Sequence, residues 1–339
     1  MSTRLISLSL ACLAASCVPE IDDDRTRIAE PRLLALRATP AEAAEGDSVT
    51  LEALIAAPDL EVGATASFQL CLDRKPLTEL GPVSPRCLAT SGASGDVAVP
   101  LGSGDRVELA MPRDACSLFG PRRPAPRAGE PAGRPVDPDP TGGFYQPVTA
   151  WLEPENVVLG AVRLDCGLTG VSRNDVLEFN ARYRHNGNPA LTALELERVD
   201  GSLAALPGSS AGLAPTLRPS ERASLRASWQ ACPRSWTCEG DAAACPPPAE
   251  CGGAESYVAF DAERERVVER REALVVSWYA SSGRFESPRS GQAEDDPDGT
   301  STAVEYRAPV EAGAVRVWAV IRDDRGGVGF WSGRLAVTR

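Results

Sequence analysis

Glu294-x-Asp296-x-Asp298-Gly299-x5-Glu305 sets carboxylates at the alternating spacing with which a glycine-centred loop surrounds a calcium ion. Calcium takes about six to eight oxygens, and side chains two residues apart on a tightly turning backbone can converge on one point. The surroundings favour a plainer role. Strand-like sequence flanks the loop, Pro297 stiffens its middle, and Ser301 stands where a calcium loop carries an apolar residue. Glu305 reads as part of the following strand. The expectation is an acidic, solvated hairpin loop, with no metal and no other cofactor.

Gly208-Ser209-Ser210-Ala211-Gly212 has the letters of a nucleophile elbow, which needs a strand before it, a helix after it, and an Asp and a His further on. Pro207 precedes it, Leu213 to Pro219 carries no helical pattern, and the single histidine, His185, lies upstream. One histidine removes most Ser/His and Cys/His mechanisms. His185 itself reads as a helix C-terminal residue meeting the macrodipole. Asp323-Asp324, before Gly326-Gly327, reads as a solvated turn, because neighbours on a strand face opposite ways and cannot flank one bond. No catalytic residue is expected, and the chain is not expected to be an enzyme. Trp278, Tyr279, Trp318, Phe330 and Trp331 gather near the C-terminus. Such rings are mostly core on strands, but Phe330-Trp331 beside glycines, and Trp236 on a cysteine-rich loop, are candidate binding residues for a glycan or peptide.

Ten cysteines divide as Cys12 and Cys17 near the start, then Cys71, Cys87, Cys116, Cys166, Cys232, Cys238, Cys245 and Cys251. Zinc sites built on cysteine use pairs about two to four residues apart, and the gaps from Cys232 to Cys251 are wider. An even set of eight fits disulfides of an oxidising compartment. The last four allow three connectivities. The preferred one is nested, Cys232 with Cys251 and Cys238 with Cys245. Earlier in the chain Cys71 is paired with Cys87, and Cys116 with Cys166.

Residues 1–16 carry Arg4 and then the apolar run Leu5 to Ala15, long enough for a signal-peptide core and too short to cross a bilayer. Leu13-Ala14-Ala15-Ser16-Cys17 resembles the lipobox of bacterial lipoproteins. That resemblance implies cleavage before Cys17, lipid on Cys17, and a protein held in the cell envelope, with the outer membrane favoured because Val18 rather than Asp follows. Residues 17–29, with Asp22-Asp23-Asp24, read as an acidic tether behind the lipid. The formal net charge of −12 repels phosphate backbones, so nucleic acid is excluded as a partner.

The elements that must position these residues are short strands between Gly- and Pro-rich turns. Val49, Leu51, Ala53 and Ile55 share one face of a strand over Ser48–Ile55, and Thr65–Leu72, Val97–Leu101 and Arg106–Met111 are further strands. Residues 120–143 are a Pro-rich loop with too little apolar material for a core. A helix is expected over 172–185, capped by Ser172 with Asp175 at its third position. Further strands follow over 191–199, 223–229, 257–260, 272–280, 303–307, 315–323 and 334–337. The stretch from Val315 to Asp323 is apolar on both faces, which predicts a central strand. The fold class is therefore all-β, two antiparallel β-sandwich domains in tandem (30–186 and 187–339), the second carrying the Cys-rich loop 232–251. The Leu-rich opening, proline turn and alternating strand recur in each.

Pro31-Arg32-Leu33-Leu34-Ala35-Leu36-Arg37-Ala38-Thr39-Pro40 and Glu45-Gly46-Asp47-Ser48-Val49-Thr50-Leu51 resemble the opening of bacterial Ig-like or PKD-like surface domains. Gly142-Gly143-Phe144-Tyr145-Gln146-Pro147-Val148 and the segment Ala319 to Gly327 resemble uncharacterised lipoproteins of the myxobacterial type. The resemblance implies an Ig-like sandwich and an envelope address, and transfers no functional residue. The functional expectation is a lipid-anchored structural or partner-binding component of the envelope. A glycan- or peptidoglycan-binding module and an accessory subunit of an export or adhesion assembly are the alternatives.

Overall fold

The computed structural model describes residues 25–58, 64–74, 83–90, 95–121, 139–153, 157–208, 212–233, 251–296 and 299–339. The leader with Cys12 and Cys17, the heart of the Pro-rich loop, Ser209 to Ala211, Trp236, Cys238, Cys245 and Asp298 lie outside them. The described chain is mostly β, and none of its helices is long and apolar enough to cross a membrane.

The first half contains β1 (Arg32–Thr39), β2 (Glu42–Ala43), β3 (Ser48–Ala56), β4 (Ala66–Cys71), β5 (Ala98–Gly104), β6 (Arg106–Ala110), α1 (Ala115–Leu118), β7 (Gly143–Trp151), β8 (Val157–Asp165) and α2 (Arg173–Arg182). The sheet β1-β3-β6 faces the sheet β2-β8-β7-β4-β5. Period-two burial makes the contact: Val49, Leu51 and Ala53 of β3 turn inward, between Thr50 and Glu52. Phe68, Leu109, Val148, Val162 and Leu164 complete that core.

The second half contains β9 (Leu191–Glu197), β10 (Leu203–Ala205), β11 (Thr216–Leu217), β12 (Arg222–Trp229), β13 (Ser256–Asp261), β14 (Arg266–Arg271), β15 (Leu274–Ala280), β16 (Arg284–Phe285), β17 (Arg289–Gln292), β18 (Ser301–Arg307), β19 (Gly313–Arg322) and β20 (Val328–Val337). The sheet β10-β9-β12-β18-β16 faces β11-β20-β19-β15-β17 around Leu196, Leu225, Trp278, Tyr306, Val317 and Leu335. The order of the first half, β1-β3-β6 against β2-β8-β7-β4-β5, thus recurs as β9-β12-β18 against β11-β20-β19-β15-β17. Even the two-residue parallel strand repeats, β2 on β8 and β11 on β20.

The two halves lie side by side. Trp318 and Val320 of β19 turn away from their own core and pack with Ile28, Leu34, Ala35 and Ala56, flanked by Tyr279 and Phe330. This explains the two-faced apolarity of β19: one face fills the second core and the other is covered by the first half. Arg37 stacks over Phe330 at 4.6 Å, and Arg316 donates to the Ala57 carbonyl at 2.9 Å. Residues 25–29 are therefore not a solvated tether. Ile28 is 1% exposed, its N–H bonds the Ala280 carbonyl at 2.8 Å, and Arg27 bridges Ala280. Apolar burial outcompetes solvation as soon as one large aliphatic side chain is in reach.

The helix runs over Arg173–Arg182, and the Ser172 side chain accepts from the Asp175 N–H, as its sequence signature predicts. It packs through Phe179 against Val258 and Val267 of the hairpin β13-β14. The Phe260 N–H in turn bonds the Pro140 carbonyl at 2.7 Å, so helix and hairpin sit astride both halves.

Candidate functional site: a buried charge network between the two halves

Where the chain crosses from one half to the other, charged side chains are buried that no core would accept singly. Glu42, carried by β2, and Arg163, directly opposite on β8, are both without side-chain exposure. Arg163 Nε lies 3.2 Å from Glu42 Oε2, an ionic contact rather than an aligned hydrogen bond. Arg163 Nη2 donates to the Thr141 carbonyl and hydroxyl, each at 2.9 Å, and Nη1 to the Tyr145 hydroxyl at 3.3 Å. Glu42 also accepts from the Tyr183 hydroxyl just past α2 and from the Asn186 N–H at 2.7 Å. Gly143 makes room: a Cβ there would fall 2.0 Å from Arg163 Cζ.

A second cluster adjoins the first. Arg325, 2% exposed, donates to Glu272 Oε1 at 2.7 Å, to Glu255 Oε2 at 3.1 Å and to the Arg184 carbonyl at 3.2 Å, and stacks over Tyr257 at 4.8 Å. Glu272 Oε2 accepts from the Glu255 N–H at 2.9 Å. Tyr145 of the first half joins the clusters by donating to the Arg325 carbonyl at 3.2 Å. Asp323 accepts from the N–H groups of Arg325 and Gly327, at 2.9 and 2.7 Å, and from Asn186 Nδ2 at 3.3 Å. The crossing segment is pinned as well: Gly187 N–H bonds Glu255, Asn188 Nδ2 the Ala38 carbonyl, and Asn188 Oδ1 accepts from Val328.

Burial pushes the Glu272 carboxyl up to about 8, against the pull of Arg325. Burial likewise raises Asp323, against its backbone donors. Burial is the largest influence on Arg163 and works against its charge, but Glu42, Tyr183 and Tyr145 together outweigh it and raise the guanidinium; Glu272 and Glu255 together do the same for Arg325. Burial, then the Glu42 charge, raises the Tyr183 phenol. Each cation faces a carboxylate at contact distance and each carboxylate spends its oxygens on donors within the protein. Such an arrangement resists separation of the parts it joins, because removing one partner leaves a charge buried alone.

The residues singled out in the sequence fall elsewhere, with one exception. Asp323 and Asp324 sit in a turn, as expected; Asp324 is exposed, but Asp323 is half-buried and joins the network, accepting from Asn186 and the Gly327 backbone. His185, 59% exposed, lies 3.7 Å from Asp165. Disulfides join Cys71 to Cys87, Cys116 to Cys166 and Cys232 to Cys251, the pairs preferred from the sequence. Glu294 and Asp296 are exposed and Glu305 lies on β18 with Arg222 at 3.0 Å, so these three described carboxylates are not gathered. Among the described residues no group of three or more acidic, Cys or His side chains is placed to hold a metal. Phe330 and Trp331 do not make one platform: as strand neighbours they face opposite ways, Phe330 into the seam between the halves and Trp331 onto the second core. A cleft of about 450 Å³ opens at the far end of the second half, by Arg27, Ser282 and Glu311.

The network could not be found by motif, since Glu42, Arg163 and Arg325 are remote in sequence. The available signal was a lone charge inside an apolar strand, as in Ala161-Val162-Arg163-Leu164.

No protein-family model matches the sequence, and a comparison with curated proteins finds no match. Among solved structures, the native Escherichia coli alpha-2-macroglobulin overlaps 91% of this chain at 11% identity and TM-score 0.21. Red sea bream transglutaminase overlaps 92% at 10% identity and TM-score 0.25. The C-terminal domain of a Streptococcus agalactiae AgI/II polypeptide overlaps 91% at 8% identity and TM-score 0.23. The chain spans 17% of the macroglobulin, 32% of the transglutaminase and 99% of the adhesin domain. These neighbours are distant β-rich domains, and overlaps this weak say nothing about activity.

Proposed function

We propose that the protein is a lipid-anchored, non-catalytic component of a bacterial cell envelope, built of two Ig-like sandwiches locked side by side, that presents loops to a protein partner. The lipobox-like Leu13 to Cys17 and the even set of later cysteines support the address. The repeated strand order supports the fold: a three-stranded sheet in the order A-B-E faces one in the order G-F-C, with a short first-strand segment switched beside the last strand. The observation that carries the functional reading is the network of Glu42, Arg163, Glu255, Glu272, Asp323 and Arg325. Its charged groups are consumed by one another, so their role is to hold a fixed spacing between two loop-bearing units. Cross-linking in living cells, followed by capture of the tagged protein from detergent-solubilised envelopes beside a Cys17→Ala control, tests this. One recurrent, stoichiometric protein absent from the control is the expected result. Capture of envelope glycan alone, or of nothing reproducible, overturns it.

A further inference from the structure

The two halves repeat each other in strand order but differ at one edge. In the second half β18 is covered on its outer side by β16, with Arg284 opposite Arg307 and Phe285 opposite Tyr306. In the first half the corresponding strand, β6, ends its sheet, and among the described residues no strand lies beyond it. β1, at the other side of that sheet, carries Leu34 and Ala35 against the second half, so the β6 edge points away from it. The edge is regular: Arg106–Ala110 contains no proline and pairs with β3 without a register shift. Such an edge is a template for a further strand. The backbone groups it offers follow from the ladder. The Ala53 N–H bonds the Asp105 carbonyl and the Met111 N–H bonds the Asp47 carbonyl, each at 2.8 Å. Hydrogen-bonded pairs alternate along antiparallel strands, so Val107 and Leu109 also turn their N–H and C=O groups to β3. Those of Arg106 and Glu108 turn outward. The Arg106 and Glu108 side chains stand on the exposed face of the sheet, while half-buried Val107 between them lies on the core face.

We propose that β6 pairs antiparallel with β6 of a second copy of this chain, in the register that sets Arg106 of each opposite Glu108 of the other. A two-fold axis through Val107 makes the contact self-complementary. Arg106 and Glu108 then exchange backbone hydrogen bonds across the axis twice, and the two Val107 side chains meet in the closer, non-hydrogen-bonded position. The neighbouring registers are poorer. With the axis at Arg106 or at Glu108, that residue meets itself, and like charges directly opposite destabilise a sheet. With the axis at Leu109, Glu108 meets Ala110 and Arg106 has no residue of opposite charge across from it. Both charged side chains already have partners in their own chain, Arg106 in Glu52 at 3.5 Å and Glu108 in the Thr50 hydroxyl at 2.8 Å. The attraction therefore comes from the outward amides and Val107, and the charges choose the register. Five residues a side is a small contact, so the pair forms where copies are concentrated. It is independent of the lipid on Cys17.

Cysteine cross-linking of the full chain, purified in mild detergent and oxidised at high concentration, tests the register. Val107→Cys should give a covalent dimer quickly. Leu177→Cys, on α2 and 59% exposed, should give little, although chance collision favours the more exposed thiol. In the Val107→Cys background, Arg106→Glu alone or Glu108→Arg alone should lower the dimer yield about tenfold, because two opposite pairs become two like pairs. Mixing those two variants should restore it, since the copy with two glutamates then faces the copy with two arginines. Restoration also shows that both variants are folded. Cross-linking at Val107 no faster than at Leu177, a single reversal without effect, or a mixture no better than either variant alone overturns the proposal. Sedimentation equilibrium of the unsubstituted chain needs no variant: a dimer appearing as concentration rises is expected, and a monomer at every concentration overturns the pairing.

Discussion

Replacing Arg325 by Met keeps most of the side-chain stem and removes the guanidinium, and with it the stacking of that group over Tyr257. Three hydrogen bonds go with it, to Glu272, Glu255 and the Arg184 carbonyl. Glu272, 1% exposed, would keep the Glu255 N–H as its remaining donor in the cluster. With its carboxyl pushed up to about 8, Glu272 is mostly protonated at pH 7.5, so the loss there is that of hydrogen bonds at buried groups, about 1–3 kcal/mol, and the cost of an unpaired charge is added only as pH rises past the folded value. Urea unfolding at pH 7.5 should show a loss in that range. Arg182→Met, whose partner Glu178 is half-exposed, should cost under about 1 kcal/mol. The pH dependence carries a sign. Glu272 has a folded value raised to about 8 from the ordinary carboxyl range, so between those limits the native state holds the extra proton. Its contribution to stability is complete below the unfolded value and is lost as pH rises through the folded one. Without Arg325 the folded value moves higher still, so the gap between wild type and variant should widen above about pH 8. A loss below about 1 kcal/mol, or a gap that stays constant between pH 6 and 9, would refute a buried, charge-bearing clamp.

Three further perturbations address other parts of the structure. Trp318→Ala removes the largest side chain of the seam between the halves and should cost roughly 3–5 kcal/mol in urea unfolding; a cost below about 1 kcal/mol would mean the seam is loosely packed. Gly327→Ala would set a Cβ 2.1 Å from Asp323 Oδ2 and 2.7 Å from the Gly187 carbonyl, and the overpacking should lower stability by about 1–3 kcal/mol, read as a fall in Tm. Changing Cys232 and Cys251 to Ser opens a loop of 19 residues' separation and should cost about 3 kcal/mol under oxidising conditions, with peptide mapping of the parent confirming the pair.

What the sequence made legible follows from periodicity and local chemistry. The strands β3 and β12 are legible because their buried residues alternate, β19 because it is apolar on both faces, and α2 because Ser172 and Asp175 form a cap that needs no tertiary partner. The strand β14, Arg266–Arg271, escaped notice because Val267 meets α2 while charged residues dominate its remaining positions. The two-residue strands β2 and β11 have no period to detect; tertiary pairing alone creates them. Residues 25–29 carry charge and read as solvated, but one isoleucine suffices to dock them. Phe330-Trp331 read as a surface pair because nothing local indicates that the first half covers β20. The charge network was the least legible feature: its members join only once both sandwiches, the crossing segment and the hairpin β13-β14 have met.

The central claim is that the charge network and the Trp318 seam make two sandwiches into one body. Differential scanning calorimetry of the disulfide-intact protein at pH 7 tests it most directly. One transition, with calorimetric enthalpy equal to the van't Hoff enthalpy for the whole described chain, is the predicted result. Two separable transitions, each with the enthalpy of one half and neither shifted by Arg325→Met, would contradict it.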